Sequence, residues 1–349
     1  MSREQWNKLL APFLYRTGLY LHQWRRAANF VALVVTYHRI APPGGRGEPP
    51  LFGVERGLPV DVFEAQLRFL LRHFTPLPAS EIAAENQRAV LRFAVTFDDG
   101  YDDNRTLAAP VLTRLGIPAT FYLTTDFIES DRLFWWEQLG ELLRGARATA
   151  LHLKDVAPQL ARRFALPQTL PLGGFSEREQ AHWWISMALM RTPPVEIPAL
   201  LQKLAAAAEA PLRSEGRAAP LLSWEGVRRL ARDGFELGAH TLSHANLGLL
   251  SEVEIENEVL GSIERVAREI DRPVLSFAYP YGGSEHRSEA ARRAVAKGGC
   301  RVAFTTGGAA FGPGSDPLFL PRTGFTRASA DVCAYQTHQA IRAMPRRAD

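Results

Sequence analysis

Phe93-Ala94-Val95-Thr96-Phe97-Asp98-Asp99-Gly100 decides how this chain is read. An apolar run of strand type leads straight into two adjacent carboxylates and a glycine, so a buried strand ends on acidic groups at a turn. Two carboxylates crowded at one low-dielectric mouth repel each other unless something neutralises them, and a bound cation would do so. Successive side chains of a strand point to opposite faces, so Asp98 and Asp99 share one site only across a sharp turn, which Gly100 permits. One of the pair can then ligate while the other serves as a base. An EF-hand is excluded, because its ligand spacing and terminal Glu are missing.

Working outward, similar short runs recur at Phe30–Tyr37, Ala119–Thr124, Phe235–Ala239, Val274–Ala278, Arg301–Thr305 and, briefly, Leu318–Pro321. They alternate with helical patterns, which argues for about seven βα units closed into a barrel. Ser223 opens a helix over Trp224–Arg232, and Ser251 with Glu254 forms a capping box ahead of one running to about Ile270. Between Phe127 and Pro220 the alternation stops. Helices rich in Leu, Ala and Trp replace it, one opened by a capping box from Ser176 to Glu179. The expected organisation is a discontinuous barrel over residues 28–126 and 221–345, a helical insertion over 127–220, and a basic amphipathic helix over 1–27.

That first helix carries Trp6, Leu10, Phe13, Thr17, Tyr20 and Trp24 on one stripe. Arg3, Lys8, Arg16, Arg25 and Arg26 against Glu4 account for the whole net charge of +4. The helix suits either an anionic membrane surface, through residues 1–26, or packing against the barrel or another subunit. A small, localised excess of this kind does not imply nucleic acid. No apolar run approaches the ~20 residues of a membrane span. Charged residues interrupt every candidate export-signal core, so a cytoplasmic location is expected. Two cysteines, Cys300 and Cys333, are too few for a disulfide scaffold.

The strand exits of a βα barrel converge on one face, and titratable groups stand at several of them. After Phe235–Ala239 come His240 and His244, four apart. On a helical turn both imidazoles would project from one face and grip one ion. The competing reading is a capped helix start with two half-exposed imidazoles. A carboxylate from another exit favours the ion, because a two-His, one-carboxylate set leaves positions open for water and substrate. Asp102 and Asp103 read as N-caps of the following helix. Trp135, Trp136, Trp183 and Trp184 of the insertion read as core rather than as a lid over the site.

Thr96-Phe97-Asp98-Asp99-Gly100, followed by His240-Thr241-Leu242-Ser243-His244 and then by Pro280-Tyr281-Gly282, resembles the polysaccharide deacetylases with a NodB homology domain, carbohydrate esterase family 4. The resemblance covers roughly residues 30–126 and 221–327. It implies an α/β fold, a distorted (β/α)7 barrel of the NodB type, and a metal-dependent N-deacetylase. Carried over, Asp98 is the general base, and Asp99, His240 and His244 hold the metal. Zinc is the expected ion, with cobalt, nickel or iron as substitutes. The Tyr281 N–H would help hold the oxyanion, and Tyr281 with Pro280 would border the sugar. The implied partner is an N-acetylated glycan or glycan precursor.

The chain also departs from that pattern. The third motif usually begins with an arginine that orients the catalytic aspartate, and here Ala278 stands in its place. No late Leu-x-His supplies the usual acid. In the branch resembling poly-N-acetylglucosamine deacetylases a histidine after the first strand acts as acid, and Tyr37-His38-Arg39-Ile40 matches it. His38 is therefore the expected acid, against a hydrogen-bonded barrel histidine. Arg322 could hold Asp98 in the missing arginine's stead, against a plain surface salt bridge. Two other readings stand beside this one: deformylation or deacetylation of a lipid- or nucleotide-linked amino sugar at the inner membrane face, and a glycan-binding barrel that has lost catalysis.

Overall fold

Seven parallel strands follow one another in chain order around a barrel in the computed structural model, which describes residues 13–27, 29–43, 57–84, 90–216, 219–325 and 330–344. They are β1 (Val31–Tyr37), β2 (Leu91–Phe97), β3 (Ala119–Leu123), β4 (Glu236–Ala239), β5 (Ser276–Ala278), β6 (Val302–Thr306) and β7 (Leu320–Arg322). β1 and β2 pair in register from Val31 opposite Leu91 to Tyr37 opposite Phe97. Just past β7, the Thr323 N–H donates to the Val34 carbonyl at 2.9 Å and its carbonyl accepts from Thr36 at 3.0 Å, so the last strand returns to the first. Every residue of β2 is buried, as expected of a parallel strand covered on both faces.

The described helices of seven residues or more are α1 (Leu19–Arg26), α2 (Val60–His73) and α3 (Ala109–Leu115), then α4 (Trp135–Arg144), α5 (Phe175–Leu189) and α6 (Ile197–Ala207) in the insertion. α7 (Trp224–Arg232), α8 (Glu252–Ile270), α9 (Glu289–Lys297) and α10 (Ala330–Arg342) complete the chain. Ser223 caps α7 through the Gly226 N–H, and Ser251 with Glu254 boxes α8. The box on α5 differs from the expected one. Glu177 accepts from the Gly174 N–H at 3.1 Å, so the helix starts at Phe175 rather than after Ser176. The insertion has its own core, in which Leu139, Leu142 and Leu143 of α4 meet Ile185 and Leu189 of α5 and Leu201 and Leu204 of α6. It docks on the barrel through Asn246 to the Met190 carbonyl, 2.6 Å, and Arg191 to Glu285, 3.1 Å.

The N-terminal stripe is not one continuous helix. Gly18, in the left-handed region at φ 74°, separates Phe13–Arg16 from α1, and Phe13 is 64% exposed. Tyr20 and Trp24 are buried instead, Tyr20 stacked on His338 at 4.3 Å and Trp24 against Phe74 at 5.6 Å. The aromatic face that suits a membrane is spent, in α1, on packing against α2 and α10. Trp6 and Leu10 lie outside the described residues. No described helix is long and apolar enough to cross a membrane.

Candidate active site

β2 aims alternate side chains into the barrel, which puts Thr96 and Asp98 on one face. Arg322 of β7 reaches both. Its guanidinium donates to the two Asp98 oxygens at 2.7 and 2.6 Å and to Thr96 Oγ1 at 3.2 Å. The Arg322 side chain is wholly buried, so this is a fork inside the barrel and not a surface salt bridge. Burial alone would push the Asp98 carboxyl up, but the Arg322 guanidinium and then His240 hold it well below the usual carboxylate range.

Asp99 would point away from Asp98 in extended backbone, but it turns into the left-handed region at φ 70°, and Gly100 follows at φ 80°. A Cβ at Gly100 would also stand 2.9 Å from Ile128 Cδ1. The turn therefore uses Asp99 itself as well as the glycine. It brings Asp99 Oδ1 to 3.4 Å from His244 Nε2 and 3.7 Å from His240 Nε2. No helix carries the two histidines, contrary to the expected turn. They converge through a bent loop in which Thr241 and His244 take φ 66° and 61°, a conformation non-glycine residues hold only when their surroundings enforce it.

His240 Nδ1 lies 2.7 Å from the Ala278 carbonyl, which can only accept, so Nδ1 carries the proton and Nε2 offers its lone pair. Burial lowers the His240 imidazole to about 4 and the His244 imidazole well below its usual value, so both imidazoles are neutral. Ligands at ~2.1 Å around a tetrahedral ion stand roughly 3.4 Å apart. The separations observed here are longer than good hydrogen bonds, and the donor set of two imidazoles and a carboxylate fits a divalent cation. The three residues form the potential metal cluster found among the described residues.

His38 lines the same cavity, of about 500 Å³, as Asp98, Asp99, His240, His244, Tyr281 and Arg322. Its loop is fixed by the acidic motif: Asp103 accepts from Arg39 at 3.1 Å and from the Ile40 N–H at 3.0 Å, and Asn104 donates to the His38 carbonyl at 2.7 Å. Asp103 makes no side-chain cap bond, so the N-cap expectation is corrected to a loop clasp. Asp102 pairs with Arg105 instead. Pro280 is buried and does not line the cavity. Its carbonyl accepts from Gly282 at 2.7 Å, closing a tight turn around Tyr281 at φ 61°. A Cβ at Gly282 would fall 2.2 Å from the Thr306 nitrogen.

The insertion roofs this cavity. Trp135 and Trp136 of α4 line it while also packing on the apolar clusters beneath them, so for this pair the core expectation holds only in part. Trp135 Nε1 donates to the Tyr281 hydroxyl at 2.9 Å, and the Trp136 ring meets His244 at 4.7 Å. Trp183 is 53% exposed and takes no part. His182 and Ser186, one turn apart on α5, face the cavity as well, and nothing in their spacing singled them out. His182 Nε2 lies 3.2 Å from the Trp136 carbonyl, and burial lowers its value.

His73, His182, His240, His244, His286 and His338 are all lowered, in each case chiefly by burial. A lowered histidine is protonated in the unfolded chain before it is in the folded one, so stability is full above the unfolded value of 6.5 and is lost as pH falls toward the folded value. For the metal-free protein, His240 alone should cost roughly 2 kcal/mol between about pH 7 and about pH 5. Urea unfolding at the two pH values checks this; equal midpoints would contradict the buried, neutral imidazoles.

The family model for polysaccharide deacetylase matches residues 86–163 and 195–303, leaving out part of the insertion. Among curated protein sequences none matches. Several solved structures share the fold, three of them as follows. The Streptococcus pyogenes deacetylase PplD in complex with acetate is 14% identical with a TM-score of 0.55, covering 90% of this chain and 99% of its own. IcaB from Ammonifex degensii is 17% identical with a TM-score of 0.54, covering 89% and 98%. BC0361, a polysaccharide deacetylase from Bacillus cereus, is 19% identical with a TM-score of 0.52, covering 88% and 69%.

Proposed function

Since the chain belongs to the polysaccharide deacetylase family and is a hydrolase of N-acetyl amide bonds, we propose that it removes N-acetyl groups from an amino sugar in a polysaccharide or glycan precursor, with Asp99, His240 and His244 holding a divalent cation. The observation that carries this is the single Asp99 oxygen facing two neutral imidazole nitrogens at 3.4 and 3.7 Å, beside an ionised Asp98. Zinc suits two nitrogens and one oxygen, and cobalt, nickel or iron accept the same donors. A cation so bound supplies Lewis acidity and brings the pKa of a water toward ~7.

The chain's own residues do the rest. Asp98 is the proton acceptor, kept ionised and aimed by the Arg322 fork, which leaves it no freedom to turn away. The Tyr281 N–H, presented by the tight turn after β5, is the donor proposed for the oxyanion; one such contact contributes ~10²–10³ in rate. His38 gives its proton to the departing amine, without which the tetrahedral species returns to the amide. Trp135, Trp136 and Tyr281 exclude water and flank the sugar. The reading of a silent glycan-binding barrel rested on the missing arginine and the missing Leu-x-His; the Arg322 fork on Asp98 answers the first, and the acetate-release assay decides the second.

Acetate release from an N-acetylglucosamine oligomer tests the activity, and an activated acetate ester tests the acid. His38→Ala should slow the amide ~10²–10⁴-fold and the ester far less, because the ester's leaving group needs no proton. Identical losses on both substrates would remove His38 from the acid role. No acetate from any N-acetylated sugar would remove the proposal.

A further inference from the structure

Between the two imidazoles the chain has no regular structure, yet its backbone is held from both sides. The carbonyls of Thr241 and Leu242 accept from the N–H groups of Thr125 and Asp126, just past β3, at 3.2 and 2.9 Å. On the other side, the N–H groups of Leu242 and Ser243 both donate to one oxygen of Glu258, at 2.9 and 3.0 Å. The Ser243 hydroxyl donates to the second oxygen at 2.6 Å. Glu258 stands mid-way along α8, half-buried, and its side-chain hydrogen bonds among the described residues all go to this loop. One turn on, at i+3, Gly261 makes room for the Leu242 side chain: a Cβ there would lie 3.1 Å from Leu242 Cδ1.

We infer that Glu258 is a positioning residue, which holds the His240–His244 loop in the shape that lets both imidazoles face Asp99. Thr241 and His244 sit in the left-handed region, and such residues persist only where neighbours over-determine them. A carboxylate accepting from two successive N–H groups and a hydroxyl does this, because charged acceptors make the stronger hydrogen bonds. Without it, the Leu242 and Ser243 N–H groups lose their acceptor, the loop relaxes, and the two Nε2 atoms no longer converge. The inference rests on the proposed cation site and adds to it a group that touches neither cation nor sugar.

Titration with zinc against a chromophoric chelator, and the visible absorption of the cobalt-loaded protein, test it on the full chain. The wild type should bind one cation, and Glu258→Ala should bind it ~10–100-fold more weakly, with an altered cobalt spectrum and an unchanged metal-free melting temperature. Glu258→Gln should lose less, since its amide oxygen still accepts both N–H groups. Ser243→Ala removes one contact without touching the backbone and should weaken binding a few-fold; it decides the matter if Glu258→Ala does not fold. Wild-type affinity and spectrum in Glu258→Ala, or in Ser243→Ala when that variant has to decide, would overturn the inference while leaving the deacetylase proposal intact. A wild type that takes up no cation would overturn the site itself, and this inference with it.

Discussion

Asp99→Ala should lose its cation and its turnover together, whereas Asp98→Asn should keep the cation and lose turnover alone. The two residues are neighbours in the chain and both buried, so burial or charge count cannot separate them. What separates them is direction. Asp99 is turned by its left-handed backbone toward His240 and His244, and Asp98 is clasped by Arg322. Removing one of three protein ligands forfeits Lewis-acid stabilisation of several kcal/mol, roughly a thousandfold or more in rate. Removing a proton acceptor costs ~10²–10⁴-fold. Metal content and acetate release, measured on the same preparations, check the pair. Equal cation retention in both variants would contradict the assignment.

Arg322→Met should be the most destabilising single change at the site. The guanidinium and the Asp98 carboxylate are a buried pair, and deleting one partner leaves a charge without compensation, at a cost of ~3–5 kcal/mol. Burial then raises the carboxyl's pKa against only the weaker pull of His240 and His38, so Asp98 takes a proton more readily and becomes a poorer acceptor. Two results follow. Denaturant unfolding shifts strongly for Arg322→Met but less for Arg322→Met combined with Asp98→Asn, where no charge remains. The residual activity of the single variant rises with pH. A change within about 1 kcal/mol, the ordinary value for an exposed pair, would mean the fork does not hold Asp98 in solution.

Much of this was legible because a parallel barrel writes its strands as apolar runs and its chemistry directly after them. Asp98 after Phe97, His240 after Ala239 and Tyr281 shortly after Ala278 were visible for that reason. The loop between the histidines was not. Its shape depends on left-handed Thr241 and His244, neither of which carries the signature a glycine would, and on Glu258 fifteen residues from Ser243. Trp135 and Trp136 were unreadable for a different reason: an aromatic pair on a helix has the same spacing whether it fills a core or lines a cavity. The α5 start slipped because Glu177 and Glu179 both stand three residues after a possible cap, and the chain uses the first. The N-terminal stripe continues through Gly18 as a pattern although the backbone does not.

The most direct test is a cation titration of chelator-stripped protein, followed by acetate release from an N-acetylglucosamine oligomer. Stripped protein should release none, and activity should return in proportion to added zinc until each chain holds one ion. Full activity in the stripped protein, or saturation without activity, would show that Asp99, His240 and His244 do not work around a common cation.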